Sequence, residues 1–293
     1  EEPVSNLFKG TVLKLRSFKE GEPSSHVLNL SYFIHPEGGN RYTMPVVSLI
    51  TDSLNLFDFD SGIFVPGVTH ALDPTGGGLW GTGNYRQKGI DWERACHFQL
   101  FNNDGELEVS QDVGIRIHGI GSSAYPQKSI RVYAKERYGE TKLEHQLFPG
   151  LATDEFDVIV LRNMGQDFVS GVAQDVLANE IAKPLNQATL DFRPVIIFVN
   201  GEYWGIQNMR ERFDQHFLQQ FHDSHKDSID IIGSYLGEVN SGDIQAFDSL
   251  VYFLENNDIS IQSNYNYVSS KMVIDDFIDN ILSLFIGNSS TKW

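Results

Sequence analysis

Two cationic residues flank a run of small ones in the stretch DVGIRIHGIGSSAYPQKSIRVY, residues 112–133. Gly119, Gly121, Ser122 and Ser123 carry little or no side chain. The backbone there can approach a ligand closely, and successive N–H groups can converge on an anion. Arg116 on one side and Lys128 on the other put fixed positive charge beside the loop, in a chain whose formal net charge is -17. Phosphate is the guest that such a loop suits. Each cation also has a plainer reading: a surface ion pair for Lys128, and for Arg116 a structural pairing with a buried carboxylate.

Other groupings carry less. Glu180, in the run LANEIA, is the candidate acid for orienting Lys128, with Asp175 as its competitor. Glu211 lies between Arg210 and Arg212, where a solvated charge cluster would explain it equally well. Asp58, Asp60 and Gly62 faintly follow a calcium loop, but the glycine comes one position early and Thr69 stands where a bidentate glutamate belongs, so a plain turn is expected. Gly76, Gly78 and Gly81 match G-x-G-x-x-G without a strand before or a helix after them, and residues 70–90 are read as a loop or flap. Asp275, Asp276 and Asp279 fit the exposed face of an amphipathic helix.

The elements that must hold these residues follow from periodicity. Val113, Ile115 and Ile117 alternate with Gly114, Arg116 and His118, and Ile130 and Val132 alternate with Arg131 and Tyr133, which predicts two half-buried strands. Upstream, TVLKLRSF and SHVLNLSYFI predict a hairpin, PVVSLI a buried strand, and RACHFQLF another that turns at Asn102-Asn103-Asp104-Gly105. Downstream come a strand in EFDVIVLRN, a helix over 166–182 capped by Asp167, and a hairpin in FRPVIIFVNGEYWGIQNM with Asn200-Gly201 at its tip. The run RERFDQHFLQQF reads as helical, and helices are predicted over 243–255 and 273–286. Strands followed by helices argue an α+β fold with an antiparallel sheet. The Gly- and Pro-rich segment 35–40 marks a boundary between residues 1–40, the end of a small module, and a main domain over 41–293.

Composition bounds the partners. At 293 residues with 41% hydrophobic content the chain has ample material for a core. Against 39 acidic residues there are only 22 basic ones, without a basic stripe, which argues against nucleic acid and anionic membranes as partners. The single cysteine, Cys96, excludes an internal disulfide and is expected to be a small core residue. No apolar run is long enough to span a bilayer. A first residue other than methionine, with no leader, suggests an excised fragment or a processed chain.

The order of strand, small-residue loop, lysine-bearing strand, acid-bearing helix and hairpin is that of a kinase amino-terminal lobe, in which the loop covers nucleotide phosphates and the lysine pairs with them. The stretches PVVSLITDSLNLFDFDSGIFVPG, GIRIHGIGSSAYPQKSIRVYAK and FRPVIIFVNGEYWGIQNMRERFD together resemble the spore coat protein H type of atypical kinase, over about residues 44–288. That resemblance implies an atypical kinase-like amino-terminal lobe with part of a helical lobe. It implies that Arg116 and the Gly119 to Ser123 loop face phosphates, that Lys128 pairs with them and that Glu211 lies at the hinge near adenine. It further implies phosphate transfer from ATP to protein serines with magnesium, in a secreted or cell-surface bacterial protein. Similar proteins carry a catalytic Asp and Asn and metal-binding acids beyond the point where this sequence reads IGNSSTKW, so the chain is expected to be an inactive portion of such a kinase. The alternative is a non-catalytic binding or structural module that meets carbohydrate or the cell surface. Residues 12–33 look like the last strands of the small β-sandwich module that precedes such domains in secreted carbohydrate-associated proteins.

Overall fold

The computed structural model describes residues 8–35, 42–78, 81–165, 174–185, 188–221, 225–233 and 239–286. The chain divides into two compact units, Glu1–Val172 with Asp191–Glu211, and Ala173–Leu190 with Arg212–Trp293. The expected boundary at 35–40 falls almost wholly on residues outside those described, as does the Asp167 cap.

Strands build the first unit: β1 (Thr11–Leu15), β2 (Leu28–Tyr32), β3 (Val46–Ile50), β4 (Arg94–Phe101), β5 (Leu107–His118), β6 (Ser129–Tyr133), the short pair β7 (Leu143–Glu144) and β8 (Glu155–Phe156), then β9 (Val158–Arg162), β10 (Phe192–Val199) and β11 (Glu202–Glu211). Seven of them close into a barrel in the order β10-β11-β9-β6-β5-β4-β3. The expectation of a purely antiparallel sheet is corrected at one seam, because β3 and β10 run parallel, with Val46 opposite Ile196. Every other neighbouring pair is antiparallel. Direction therefore alternates around an odd number of strands, and the last meets the first with the same sense.

Alternation along each strand sorts the side chains into two layers. Val47, Leu49, Phe98, Leu100, Val113, Ile115, Ile130, Val132, Ile159, Leu161, Val195 and Ile197 join one buried core. Each such side chain contributes about 2 kcal/mol by leaving water. Val46, Phe101, Ile196 and Phe198 face the other way and would be exposed without the β1–β2 hairpin. Phe33, just past β2, covers them, its ring 4.7 Å from Phe198 and 5.4 Å from Phe101. Ser31 and Ser48 share a hydroxyl hydrogen bond of 2.8 Å beneath it. This is why all five residues of β3 are buried.

Two short helices, α1 (Ser53–Phe57) and α2 (Gly67–Leu72), follow β3 where only a turn was expected. Asp58 makes that turn: its carboxylate accepts from the N–H groups of Asp60 and Ser61 and from the Ser61 hydroxyl. The plain-turn reading therefore accounts for its spacing. The β10–β11 hairpin turns at Asn200 (φ 50) and Gly201 (φ 83), the paired positive angles that an Asn-Gly tip supplies. Cys96 is buried, and burial pushes its thiol up to about 12.

The second unit is largely helical, with α3 (Gln174–Ala182), α4 (Gln215–Phe221), α5 (Gln245–Asn256), α6 (Gln262–Lys271) and α7 (Ile274–Ile286), plus a short ribbon of β12 (Ile231–Ile232) and β13 (Val239–Ser241). Asp214 caps α4 by accepting from the N–H groups of His216 and Phe217. Helix α6 has no counterpart in the periodicity reading. The helical stretch expected from residue 210 begins five residues later, because β11 continues through Arg210 and Glu211 in register with β9. The chain is α+β.

Candidate functional site

Strand alternation separates the two cations that flank the loop. Lys128 precedes β6 on the side of Ile130 and Val132, whereas Arg116 stands opposite Arg131 on the outer face of the β5–β6 pair. Between them Gly121–Ala124 forms a single 3-10 turn in which Ser122 and Ser123 are buried.

Lys128 is only 4% exposed. Its ammonium donates to the carbonyls of Ser123 (2.8 Å) and Tyr125 (3.1 Å) and stands 4.0 Å from the centre of the Tyr85 ring. Within its own unit no carboxylate among the described residues pairs with it. Burial without a counter-charge disfavours the charged form, and the lysine is pushed down to about 8. The ammonium is thus held by three weak partners, each of which an anion could replace.

The backbone on either side of Lys128 is clamped. Gln127 donates to the carbonyls of Trp204 (2.8 Å) and Ile206 (3.2 Å), the Lys128 carbonyl accepts from Gln207 (2.8 Å), and the Ser129 hydroxyl donates to Asn163 (2.6 Å). The Asn163 amide returns a bond to the Gln127 carbonyl. Gln207 and Asn163 are fully buried, so these bonds form out of water, where a lost partner costs most. Tyr85 is fixed from the flap. Its neighbour Asn84, 1% exposed, donates to the Phe59 carbonyl and accepts from the N–H and hydroxyl of Thr69.

Gly119 opens the loop at φ +97, where an added Cβ would fall on the Ser122 hydroxyl. Gly119→Ala is expected to lower stability by about 1–2 kcal/mol through backbone strain and displacement of Ser122. Denaturant unfolding of the variant reads this directly, and an unchanged midpoint would show that the loop tolerates a side chain.

Arg116 reaches Glu93, its Nε 3.3 Å from a carboxylate with a fully buried side chain, and stacks 4.3 Å over Tyr133. Lys135 bonds the same carboxylate at 2.7 Å and the Tyr138 hydroxyl donates to it at 3.1 Å. Burial, and then Glu93, push Tyr138 up to about 12. Glu211 ends β11, buried in the strand and accepting from the Asp191 N–H at 3.3 Å. Glu180 lies on α3 in the second unit and pairs with Lys183 at 2.6 Å. The structure therefore gathers Lys128, Ser123 and the Gly119 turn at one place, sets Arg116 on the opposite face of the strand pair, and puts Glu211 at the end of β11. Tyr85, Glu93, Asn163 and Gln207 were not foreseen. The signal for the last three was a polar residue at or beside an apolar strand, and for Tyr85 there was none.

Among the described residues no group of three or more His, Cys, Asp and Glu side chains stands close enough to hold a metal ion. The acids named here are taken up by cations and backbone N–H groups.

The fold is α+β, and its sheet closes into a seven-stranded barrel in which Lys128 stands between the Gly121–Ala124 turn and β6. A model of the CotH kinase protein family matches residues 115–290, from within β5 past the end of α7, and the chain belongs to that family. The match begins at the strand that carries Arg116 and takes in the loop, Lys128 and both later acids. No curated protein matches the chain. No helix among the described residues is long and apolar enough to cross a membrane.

Proposed function

We propose that this chain is the nucleotide-binding part of a secreted protein kinase that passes the terminal phosphoryl group of ATP to serine side chains. Family membership supports kinase chemistry in general terms. The observation that carries the finer reading is Lys128, a buried ammonium with carbonyls and an aromatic face around it where a carboxylate would be expected. An incoming phosphate supplies the missing negative charge. Arriving phosphate restores the proton that burial tends to remove, so binding and protonation reinforce one another.

Magnesium, when carried in with the nucleotide, would neutralise charge on the phosphates. Among the described residues no group of three or more His, Cys, Asp and Glu side chains could hold it. The chain's own contribution is to hold the phosphates. Lys128 gives up the Ser123 and Tyr125 carbonyls for phosphate oxygens, while the clamped backbone of residues 127–129 keeps the ammonium in place. Glu211, buried at the end of β11, is the residue we assign to the hinge beside adenine.

The test is thermal stabilisation by ATP. Wild-type protein at saturating nucleotide gains RT ln(1 + [L]/Kd), about 2.7 kcal/mol at a hundredfold excess over Kd. In Lys128→Met the shift is expected to vanish. In the wild type it is expected to fade as the pH rises through about 8, where the ammonium loses its proton. An undiminished shift in Lys128→Met overturns this reading.

A second reading has its own observation. A cavity of about 370 Å³ lies beside the β1–β2 hairpin, walled by Phe8, Phe33, Tyr42 and Phe101 and edged by Asn102 and Asp104. Aromatic walls with a polar edge suit a sugar ring, as a carbohydrate-binding module would need. Retention on immobilised polysaccharide that Phe33→Ala abolishes and Lys128→Met leaves intact would favour that reading.

A further inference from the structure

The outer face of β5 and β6 holds cations that the Lys128 site does not use. Arg116 and Arg131 stand directly opposite each other across the two strands. Like charges so placed repel, and they are uncommon without something between them. Lys88, from the flap, bonds the Gly119 carbonyl at 2.9 Å. The turn Asn84–Arg86 packs against the turn Gly121–Ala124, which brings Arg86 to the same loop. Desolvation and then the charges of Arg131, Arg86 and Arg116 push Lys88 down to about 8, so all three guanidinium groups lie within electrostatic reach of its ammonium.

Counter-charge is scarce. Among the described residues, Glu93 is the carboxylate that pairs with this group, through Arg116, and it is shared with Lys135 and Tyr138. Arg131 spends its Nε on the ring of His118 at 2.8 Å. Arg86 Nη1 is shielded from solvent without a hydrogen-bond partner among the described residues, and Arg116 Nε, also shielded, faces the Glu93 carboxylate at 3.3 Å without forming a hydrogen bond to it. A desolvated N–H with no acceptor destabilises the fold until an acceptor arrives. A chain of net charge -17 could have placed a carboxylate here with ease.

From this convergence we infer that Arg86, Lys88, Arg116 and Arg131 form a binding site for a phosphate dianion on the outer face of β5 and β6, separate from Lys128. A tetrahedral dianion offers several acceptor oxygens, enough for Arg86 Nη1, the Lys88 ammonium and a further guanidinium N–H together. Guanidinium groups match its geometry, and two charges offset the repulsion that one would leave standing. The phosphate could be free, could belong to a phosphoserine side chain or could be part of a nucleotide. The phosphoserine source rests on the proposed kinase activity, which makes that product; the site itself does not.

Thermal unfolding of the full chain separates these cases. Wild-type protein is expected to rise in Tm with inorganic phosphate and to lose that rise as sodium chloride is added. Lys88→Gln, which keeps most of the side chain's length and removes its charge, is expected to weaken the phosphate response at least fivefold. Lys88→Gln with Arg131→Gln should abolish it while matching or exceeding the wild-type Tm in phosphate-free buffer, because repulsion has been relieved. In Lys128→Met the phosphate response that remains belongs to this face, and it is expected to disappear when Lys88→Gln and Arg131→Gln are added. A phosphoserine peptide that protects more than its unphosphorylated form, again only with Lys88 and Arg131 in place, identifies a modified side chain as the guest. ATP protection that survives Lys128→Met but not the double substitution assigns the nucleotide's own phosphates to this face and removes them from Lys128. The inference fails if inorganic phosphate leaves the wild-type Tm unchanged at tens of millimolar, or if the response is the same in wild type, Lys88→Gln and the double variant.

Discussion

Lys128→Met is expected to unfold at a higher denaturant midpoint than the wild type at pH 7, and at the same or a lower one at pH 10. Methionine fills nearly the volume of the lysine stem without placing a charge in a site that is 4% exposed. In the folded state the lysine titrates near 8, against an ordinary value of 10.5. Below 8 both the folded and the unfolded chain carry the proton, and the folded state bears the full cost of desolvating it. Between 8 and 10.5 the unfolded chain keeps its proton while the folded chain sheds it, so the wild type gains stability as the pH rises, by up to about 2–3 kcal/mol over the whole interval. The two carbonyl hydrogen bonds offset part of the cost at every pH, because a neutral amine still donates. The expected advantage of methionine at pH 7 is therefore about 1–2 kcal/mol. Groups that titrate in both proteins cancel in the comparison, Tyr138 among them. If the difference between the two proteins did not change between pH 7 and pH 10, Lys128 would not be the desolvated ammonium described here. Stability gained together with nucleotide response lost is also what distinguishes a functional lysine from a structural one, since removing a structural lysine weakens the fold.

The strands were legible because their signals are local. RACHFQLF coincides with β4 residue for residue, and the Asn-Gly and Asn-Asn-Asp-Gly tips placed two hairpins correctly. Helices α5 and α7 were readable from the 3.6-residue recurrence of their apolar positions. Helix α6 was not, since QSNYNYVSSK has a single aliphatic residue and shows no stripe. Barrel closure was invisible for a different reason: β3 meets β10 across about 150 residues of sequence, and nothing in either strand specifies a parallel neighbour.

The site divides in the same way. That Arg116 turns away from the apolar side of β5 followed from alternation, and the plainer alternative of a buried carboxylate partner describes what is found. Which carboxylate it is, Glu93, depended on the turn before β4 lying against β5. Lys128 and its loop could be named from residue type alone. Its state could not, because the charge balance around it is set by Tyr85, 43 positions earlier in a flap without periodicity, and by the direction in which Ser123 and Tyr125 point their carbonyls.

Glu93→Ala is expected to cost the most of any single substitution considered, about 3 kcal/mol. Its carboxylate has no exposure, accepts from Lys135 and Tyr138 and lies 3.3 Å from Arg116 Nε. Truncation leaves two cations with side chains 33% and 21% exposed close together beside the Tyr133 ring, without an anion between them. Breaking a buried pair from one side costs about 3–5 kcal/mol, and the partial exposure of both cations brings the expectation to the lower end. Glu93→Gln keeps the volume and an acceptor oxygen but not the charge, so its cost should be about half as large. The decisive measurement is the double variant Glu93→Ala with Lys135→Met. Removing the cation as well should recover about 1 kcal/mol relative to Glu93→Ala alone, whereas independent contributions would make the double variant worse than either single change. A cost below 1 kcal/mol for Glu93→Ala would mean that the carboxylate does not hold this face together. If the cost is as expected, the same variant frees Arg116 to join Arg86, Lys88 and Arg131, and its Tm should respond to inorganic phosphate more strongly than that of the wild type.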